Sequence, residues 1–298
     1  MDETRTLEVR GLHKRYGDRQ VLQDVSFRMR PGRLTGFVGG NGAGKTTTMR
    51  CILGVVRPDA GECLIDGRPL AAADRSRFGY MPEERGLYPK MGVAEQIRYF
   101  GELHGLDRAT ATANTERLLA ELGLAERARD KVQALSLGNQ QRAQIAVALV
   151  HEPELLMLDE PFSGLDPEAV EVVLGVLRGY ADRGAPVLFS SHQLDVVERL
   201  SDDLVVISDG RIRLAGDRAE LQAAHSRGLY RLEVPQDVGW LRELPGIEVV
   251  EFDRGAALFR APGEQEAQRV LRAALDRGPV TAFGPHTVRL ASIFQEVR

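Results

Sequence analysis

Short, largely apolar runs, each followed directly by polar residues, recur along the first part of the chain. Three of them are Leu34–Val38, Leu155–Leu158 and Val187–Phe189. Continuous runs of this length are typical of parallel strands that are covered on both faces of a sheet. Because ligands bind beyond the carboxyl ends of such strands, we expect the polar residues that follow these runs to lie near one site.

Other segments have different periods. Residues 7–10 and 25–30 alternate between apolar and polar side chains, with a turn at Gly17-Asp18 between them, which predicts two antiparallel strands ahead of the parallel sheet. From Val93 to about Ala128 the pattern is helical and rich in charge. This stretch predicts a helical subdomain inserted into the sheet.

The pattern changes again after about Ala219. Residues 229–234 alternate as a strand, residues 246–260 predict a hairpin, residues 263–277 an amphipathic helix, and residues 280–283 a last strand. We therefore expect a small α+β sandwich as a second domain.

Residues 39–46, GGNGAGKT, follow the first apolar run and fit the pattern G-x-x-x-x-G-K-[ST]. Glycines let backbone N–H groups wrap closely around a polyphosphate. In such loops the lysine, here Lys45, contacts the β and γ phosphates, and the hydroxyl of Thr46 binds Mg²⁺. A glycine-rich turn with a chance lysine is the alternative, but strand, loop and helix follow in the order that phosphate binding requires.

Two adjacent acids, Asp159 and Glu160, end the second apolar run. Since successive side chains of a strand point to opposite sides, we expect Asp159 to serve the Mg²⁺ shell and Glu160 to act as general base on a water molecule. A solvated corner between strand and loop is the alternative for such a pair.

Composition restricts the functional class. The 298 residues carry a net charge of −4, which argues against nucleic acid as the main partner. The sequence lacks a secretory leader and any run of 18 apolar residues, so we expect a chain that is neither secreted nor membrane-spanning. Cys51 and Cys63 have no metal-binding spacing, and we expect both thiols to be inert in a reducing cytoplasm.

Together these segments resemble a known family. Residues 39–46, 135–142 and 155–160 look like the Walker A, signature and Walker B motifs of ATP-binding cassette (ABC) ATPases, residues 160–167 resemble the D-loop, and Ser190-Ser191-His192 resembles the switch histidine. The resemblance implies an α/β P-loop NTPase of the ABC type over residues 1–218, with a parallel sheet core, an antiparallel β subdomain and a helical subdomain at about 84–150. Residues 219–298 would form a C-terminal α+β accessory domain.

The resemblance also implies a site for ATP and Mg²⁺ between two copies of the chain. One copy would contribute the residues that hold ATP, namely Tyr16 on the adenine and Gly39, Asn41, Gly42, Ala43, Gly44, Lys45, Thr46 and Thr47 on the phosphates. The other copy would contribute the signature and D-loop residues, namely Ser136, Gly138, Asn139 and Asp166. Catalysis would fall to Glu160 and His192, and Mg²⁺ to Thr46, Glu83 and Asp159.

Three positions depart from the common family pattern. Leu137 and Asn139 replace glycine and glutamine in the signature, and Glu83 replaces a glutamine, which adds negative charge near the phosphates. The sequence of residues 82–89, PEERGLYP, and the presence of a C-terminal domain resemble ATPase subunits of bacterial exporters that are grouped with sodium and drug efflux systems.

We therefore expect an ATPase that powers a membrane exporter. Its partners would be separate integral-membrane subunits and a second ATPase copy, at the cytoplasmic face of the cell membrane. A non-transport ABC ATPase acting on ribosomes or in DNA repair is the alternative, but the chain holds one cassette only, and too few residues separate Lys45 from Asp159 for a long coiled coil. A small-molecule P-loop kinase would lack the signature and D-loop.

Overall fold

The computed structural model describes residues 5–84, 86–290 and 292–293. Across these residues the chain divides into two compact units, one that ends at Arg218 and one that begins at Ala219. Sheets and an apolar core are found in each unit. Each unit therefore has the buried apolar layer that holds a compact fold together.

The described part of the first unit contains ten strands. They are β1 (Leu7–Tyr16), β2 (Arg19–Met29), β3 (Leu34–Val38), β4 (Ala60–Ile65), β5 (Arg68–Pro69), β6 (Phe78–Met81), β7 (Leu155–Leu158), β8 (Val187–Ser191), β9 (Asp203–Ser208) and β10 (Arg211–Asp217).

Helices lie between several of these strands in the sequence. They are α1 (Lys45–Ile52), α2 (Ala72–Arg75), α3 (Val93–Leu103), α4 (Arg108–Glu121), α5 (Leu137–Leu149), α6 (Pro167–Asp182) and α7 (Leu194–Leu200), and α8 (Arg218–Ser226) follows β10.

The strands of the first unit form two sheets within the described residues. One is antiparallel in the order β2-β1-β4-β5, and the other has the order β10-β9-β3-β8-β7-β6. In the second sheet all neighbours are parallel except β10, which is antiparallel to β9. The apolar runs are thus strands of one parallel sheet, as predicted, and the carboxyl ends of β3, β6, β7 and β8 share an edge.

Burial explains why apolar and polar residues do not alternate along β3. All five of its residues are buried, because the strand is central and covered on both faces. Gly36 allows α7 to approach, since an added Cβ would lie 2.4 Å from Cγ1 of Val197. Phe37 packs on Phe27 of β2 with ring centroids 5.4 Å apart, which joins the two sheets through a common core.

The helical subdomain consists of α3, α4 and α5, which lie between β6 and β7 in the sequence and pack on one another. Asp107 caps α4 by accepting hydrogen bonds from the N–H groups of Ala109 and Thr110. Ser136 caps α5, where its Oγ accepts a hydrogen bond from the N–H of Asn139 at 3.3 Å. The helical stretch predicted from Val93 to about Ala128 therefore contains two helices, α3 and α4. The third helix, α5, follows this stretch and begins inside the signature segment.

The second unit is a four-stranded antiparallel sheet with a helix on one face, as far as the described residues extend. The strands β11 (Leu229–Glu233), β12 (Glu248–Asp253), β13 (Ala256–Arg260) and β14 (Ala282–Pro285) have the order β12-β13-β11-β14. The helix α9 (Glu264–Leu275) buries Ala267, Val270 and Ala274 in the same core as Leu232 and Phe259. This is the small α+β sandwich that the sequence predicts.

Both cysteines lie in the first unit with free thiols. Cys51 belongs to α1 and is buried, and Cys63 belongs to β4 and is partly buried. Burial raises the pKa of Cys51 to about 11 and the pKa of Cys63 to about 12. Both thiols are therefore protonated and weakly nucleophilic near neutral pH.

Candidate functional site

The phosphate loop connects β3 to α1, and its glycines have two different physical roles. Gly42 and Gly44 adopt positive φ angles of 77° and 113°, which disfavour residues with a Cβ. Gly39 is needed for space, because an added Cβ would lie 2.5 Å from the carbonyl oxygen of Ile207. The loop conformation thus follows from glycine placement at particular positions.

A cavity of about 530 Å³ opens over this loop. Its volume lies in the range of small-molecule sites. The lining residues are Tyr16, Arg19, Val21, residues 40–47, Glu83, Asp159 and Glu160. The structure therefore brings together most of the residues that were predicted to bind nucleotide or metal. They lie in the hairpin of β1 and β2 and in the segments that follow β3, β6 and β7, which are far apart in the sequence.

Lys45 is buried beneath the cavity with 8% of its surface exposed. Its Nζ donates hydrogen bonds to the carbonyl oxygens of Gly39 at 2.6 Å and Gly40 at 3.4 Å, and lies 3.9 Å from Oε1 of Glu160. A buried ammonium group of this kind is held by the loop backbone. It places one positive charge at the centre of the loop.

Asp159 connects three elements at the end of β7. Its Oδ2 accepts a hydrogen bond from Oγ1 of Thr46 at 2.6 Å, and its Oδ1 accepts one from Oγ of Ser190 at 2.6 Å. The same Ser190 Oγ accepts a hydrogen bond from the N–H of Glu160 at 2.8 Å. Ser190 is fully buried, so these contacts hold Asp159 in one orientation.

Glu160 does not continue the alternation of β7. Asp159 and Glu160 both line the cavity, whereas strand geometry predicts that they point to opposite sides. The physical reason is the backbone of Glu160, whose φ of 54° is left-handed and turns the side chain back toward the loop. Its Oε2 lies 3.0 Å from Nδ1 of His192, so the imidazole contacts the carboxylate and is not itself a lining residue.

Glu83 follows β6 and lines the cavity near Asp159. Tyr80 in β6 is partly buried. Burial raises the pKa of its phenol, and the negative charge of Asp159 raises this pKa further. The neutral phenol therefore adds no charge beside the two acids.

Tyr16 lies at the turn between β1 and β2, half exposed, with Nζ of Lys14 5.4 Å from its ring centroid. Arg19 pairs with Tyr16 across this turn, and Val21 lies further along β2. Arg19, Val21 and Ser190 were not among the site residues predicted from the sequence. Arg19 has a usable signal, because it pairs with Tyr16 across the predicted turn at Gly17-Asp18.

The remaining candidates lie outside the cavity of their own chain. Gly39 accepts a hydrogen bond from Lys45, Asp166 caps α6 by accepting one from the N–H of Ala169 at 2.8 Å, and Ser136 caps α5. Asn139 Oδ1 accepts a hydrogen bond from Arg142. Gly138 lies next to the D-loop segment, since an added Cβ would be 3.5 Å from the carbonyl oxygen of Gly164.

Residues 22–163 match the family model described as ABC transporter, and residues 216–297 match one described as the C-terminal domain of ATP-binding protein DrrA1-3-like. The uncharacterized ABC transporter ATP-binding protein YhaQ of Bacillus subtilis (strain 168) is 32% identical over 283 residues, which are 95% of this chain and 95% of that protein. This chain belongs to the ABC transporter ATP-binding proteins.

Other members have more specific names. The Nod factor export ATP-binding protein I of Ralstonia nicotianae is 38% identical to this ABC ATPase over 262 residues, 86% of this chain and 81% of that protein. The linearmycin resistance ATP-binding protein LnrL of Bacillus subtilis (strain 168) is 33% identical over 218 residues, 72% and 70% of the two chains. A solved ATP binding subunit of an ABC transporter has a TM-score of 0.67 at 34% identity and covers 74% of this chain and 92% of that chain.

Family membership confirms the ABC-type fold, ATP as the nucleotide, and ATP hydrolysis coupled to transport. The relatives support a transporter ATPase rather than action on ribosomes or in DNA repair. Their names imply membrane permease subunits as partners. Among the helices of the described residues, none has the length and apolar character needed to cross a bilayer.

Proposed function

We propose that this ABC ATPase powers an exporter, and that it acts as a pair of identical copies at the cytoplasmic face of the cell membrane. Names of relatives support export, since two of them are a Nod factor export protein and a linearmycin resistance protein. Residues 1–218 are the nucleotide-binding domain, with the helical subdomain at about 84–150, and residues 219–298 are an accessory domain. The division into two compact units and the two separate family matches support this organisation.

The cavity takes ATP with its triphosphate in the loop of residues 39–47. Backbone N–H groups and the dipole of α1 favour negative charge at this position. Lys45 supplies the ammonium for the β and γ phosphates. The exposed ring of Tyr16 stacks on the adenine, because stacking requires only an accessible aromatic face.

Thr46, Asp159 and Glu83 would hold Mg²⁺, since all three line the cavity. Thr46 Oγ1 and Asp159 Oδ2 lie 2.6 Å apart, and hard oxygen donors of this kind fit the ion. When bound, Mg²⁺ neutralises charge on the β and γ phosphates.

Glu160 is the general base and His192 its positioning partner. The Glu160 carboxylate takes a proton from the attacking water as the water oxygen bonds to the γ-phosphorus and the bond to the ADP oxygen breaks. The 3.0 Å contact with Nδ1 of His192 fixes one carboxylate oxygen of Glu160. Convergence of Lys45, Asp159 and Glu160 on one cavity, with His192 behind Glu160, is the observation that carries this proposal.

A second copy completes the site with Ser136, Gly138, Asn139 and Asp166. These residues lie outside the cavity of their own chain, which supports a role on the nucleotide of a partner. Ser136 and Gly138 stand at the N-terminus of α5, where free N–H groups and the helix dipole suit a γ-phosphate. A self-complementary pair of copies is the commonest arrangement of soluble oligomers.

The membrane subunits contact the surface around residues 83–100. Tyr88, Tyr99 and Phe100 form an aromatic cluster there, with ring centroids 5.7–6.3 Å apart. Tyr88 is 52% exposed and Tyr99 37% exposed. Exposed aromatic clusters are enriched in protein interfaces.

The decisive experiment replaces Glu160 with glutamine in the full chain. We expect Glu160→Gln to bind ATP with wild-type affinity, to lose turnover by at least about 100-fold, and to accumulate an ATP-bound dimer in sedimentation. The exposed Glu121→Gln in α4 is the matched control and should keep wild-type turnover. Near-normal hydrolysis by Glu160→Gln would contradict the assignment of the base, and a monomer in the presence of ATP would contradict the paired arrangement.

A further inference from the structure

The helix α5 carries two buried glutamines on one face. Gln141 and Gln144 are three residues apart and therefore neighbours on the helix surface, with 3% and 4% of their surfaces exposed. A buried amide destabilises the fold unless it finds hydrogen-bond partners. The partners of these two amides are carbonyl groups of the two loops that line the nucleotide cavity.

Gln141 holds the loop after β7. Its Nε2 donates hydrogen bonds to the carbonyl oxygens of Glu160 at 3.0 Å and Pro161 at 3.1 Å. Since the N–H of Glu160 donates to Ser190, side chains from two other elements hold both backbone polar groups of Glu160. A left-handed φ on a residue with a side chain is strained, and such strain persists only where the surroundings over-determine it.

Gln144 holds the loop after β6 in the same way. Its Nε2 donates hydrogen bonds to the carbonyl oxygens of Pro82 at 2.8 Å and Glu84 at 3.2 Å. These acceptors bracket Glu83, whose side chain lines the cavity. One helix thus holds the backbone on which both Glu83 and Glu160 depend.

The preceding residue offers an internal comparison. Gln140 is also a glutamine of α5 whose Nε2 donates to two carbonyl groups, those of Val132 at 3.3 Å and Leu135 at 3.1 Å. Those acceptors lie in the segment that enters α5 and line no part of the cavity. The three amides therefore have the same chemistry and differ in what they hold.

We propose that Gln141 and Gln144 are positioning residues for hydrolysis, which fix the backbone of Glu160 and of Glu83 so that both carboxylates face the nucleotide. This inference rests on the proposed roles of Glu160 and Glu83. Because the carboxylate direction follows the backbone angles of Glu160, loss of the Gln141 contacts misplaces the base without removing it. Small misplacements of reacting groups lower rates strongly. The signature segment at the start of α5 is thereby mechanically linked to the base of its own chain.

The test uses Gln141→Met in the full chain, which keeps side-chain length and removes the donor. We expect kcat to fall by about tenfold to about 100-fold, while ATP affinity stays within about twofold of wild type. The control is Gln222→Met in α8, whose amide donates to the carbonyl oxygen of Val288 at 3.4 Å in the second unit, and it should keep wild-type kcat. Gln144→Met should raise the Mg²⁺ concentration that gives half-maximal turnover by about tenfold, since Glu83 is a proposed metal residue.

A double-mutant cycle of Gln141→Met with Glu160→Gln distinguishes loss of positioning of the base from a general loss of structure. In that background Gln141→Met should change single-turnover hydrolysis by less than about twofold, because the group that it positions is already absent. If Gln141→Met folds poorly, Gln141→Asn, which retains the amide but shortens its reach, replaces it.

Wild-type kcat in a folded Gln141 variant, or an equal loss in Gln222→Met, would overturn the inference. The proposed function fails in a different way, through normal turnover of Glu160→Gln, so the two failures are distinguishable.

Discussion

The two compact units of the chain bury different kinds of side chain. All buried polar or charged side chains among the described residues lie between Thr35 and Asp203, in the first unit. The core of the second unit is formed by apolar residues such as Leu232, Phe259 and Val270. Both units nevertheless have sheets with helices packed on them.

The difference indicates where chemistry is located. Burial of a polar group opposes folding unless partners satisfy it, so a concentration of such groups at one edge of a sheet points to function. Lys45, Asp159, Glu160 and Ser190 form such a concentration, and each contacts another member. The described residues of the second unit form an apolar core, and this core contains no comparable cluster of buried polar and charged side chains.

The largest expected effect concerns the apolar core of the second unit. Phe259 is fully buried and stacks on Tyr230, so Phe259→Ala should lower the free energy of unfolding of this unit by about 3–5 kcal/mol. Fluorescence of Trp240, the only tryptophan of the chain, reports this transition in urea. Affinity for a fluorescent ATP analogue should not change.

The control is Phe252→Ala, since this ring is 36% exposed and should contribute much less. An equal loss of stability in both variants, or weaker ATP binding by Phe259→Ala, would break the separation between a structural and a chemical unit.

The next effect concerns the buried cation. Lys45→Met keeps the length of the side chain and removes the charge, so we expect kcat/KM for ATP to fall by about 100-fold to about 1000-fold. Steady-state phosphate release measures this. Lys90→Met, at an exposed lysine of the same chain, is the control. Turnover by Lys45→Met within tenfold of wild type would show that the buried charge has no chemical role.

Two adjacent glycines test the phosphate loop with one methyl group. Gly39→Ala places a Cβ 2.5 Å from the Ile207 carbonyl oxygen, whereas Gly40→Ala meets nothing within 4 Å. Gly39→Ala should destabilise the first unit by about 1–3 kcal/mol, and Gly40→Ala by less than about 0.5 kcal/mol. Thermal unfolding distinguishes them, and equal melting temperatures would contradict the packing argument.

The smallest effect concerns Ser190, which bonds both Asp159 and the backbone of Glu160. Ser190→Ala should lower kcat about tenfold, because loss of one buried hydrogen-bonding group is worth about 1–3 kcal/mol. The neighbouring Ser191, whose hydroxyl contacts Gln193 instead, supplies the control Ser191→Ala. A larger loss of kcat in Ser191→Ala than in Ser190→Ala would contradict the role of Ser190 in the site.

Local pattern predicted most of the fold. The run Leu34–Val38 is β3 with the same bounds, because a central parallel strand is buried on both faces and its sequence is therefore largely apolar. The predicted helix at residues 263–277 is α9 at Glu264–Leu275, since its period of apolar positions is long enough to be distinctive. The predicted strand at residues 280–283 is displaced to Ala282–Pro285, where backbone pairing with β11 decides its limits.

The phosphate loop and the two acids of the candidate site also follow from pattern, since each has a local spacing that its chemistry requires. Ser190, Gln141 and Gln144 do not, because their partners lie far away in sequence and the sheet order alone brings them together. The left-handed backbone of Glu160 escaped prediction for the same reason. Its conformation depends on contacts from β8 and α5, which residues 155–160 do not contain.

The raised pKa values of the buried Cys51 thiol and the partly buried Cys63 thiol have a practical consequence. Maleimide dyes react with thiolates, so we expect both native cysteines to label slowly near neutral pH. A single cysteine introduced on an exposed position can therefore carry a fluorophore or spin label in the otherwise wild-type chain. Distances between labelled copies could then follow their approach during each catalytic cycle.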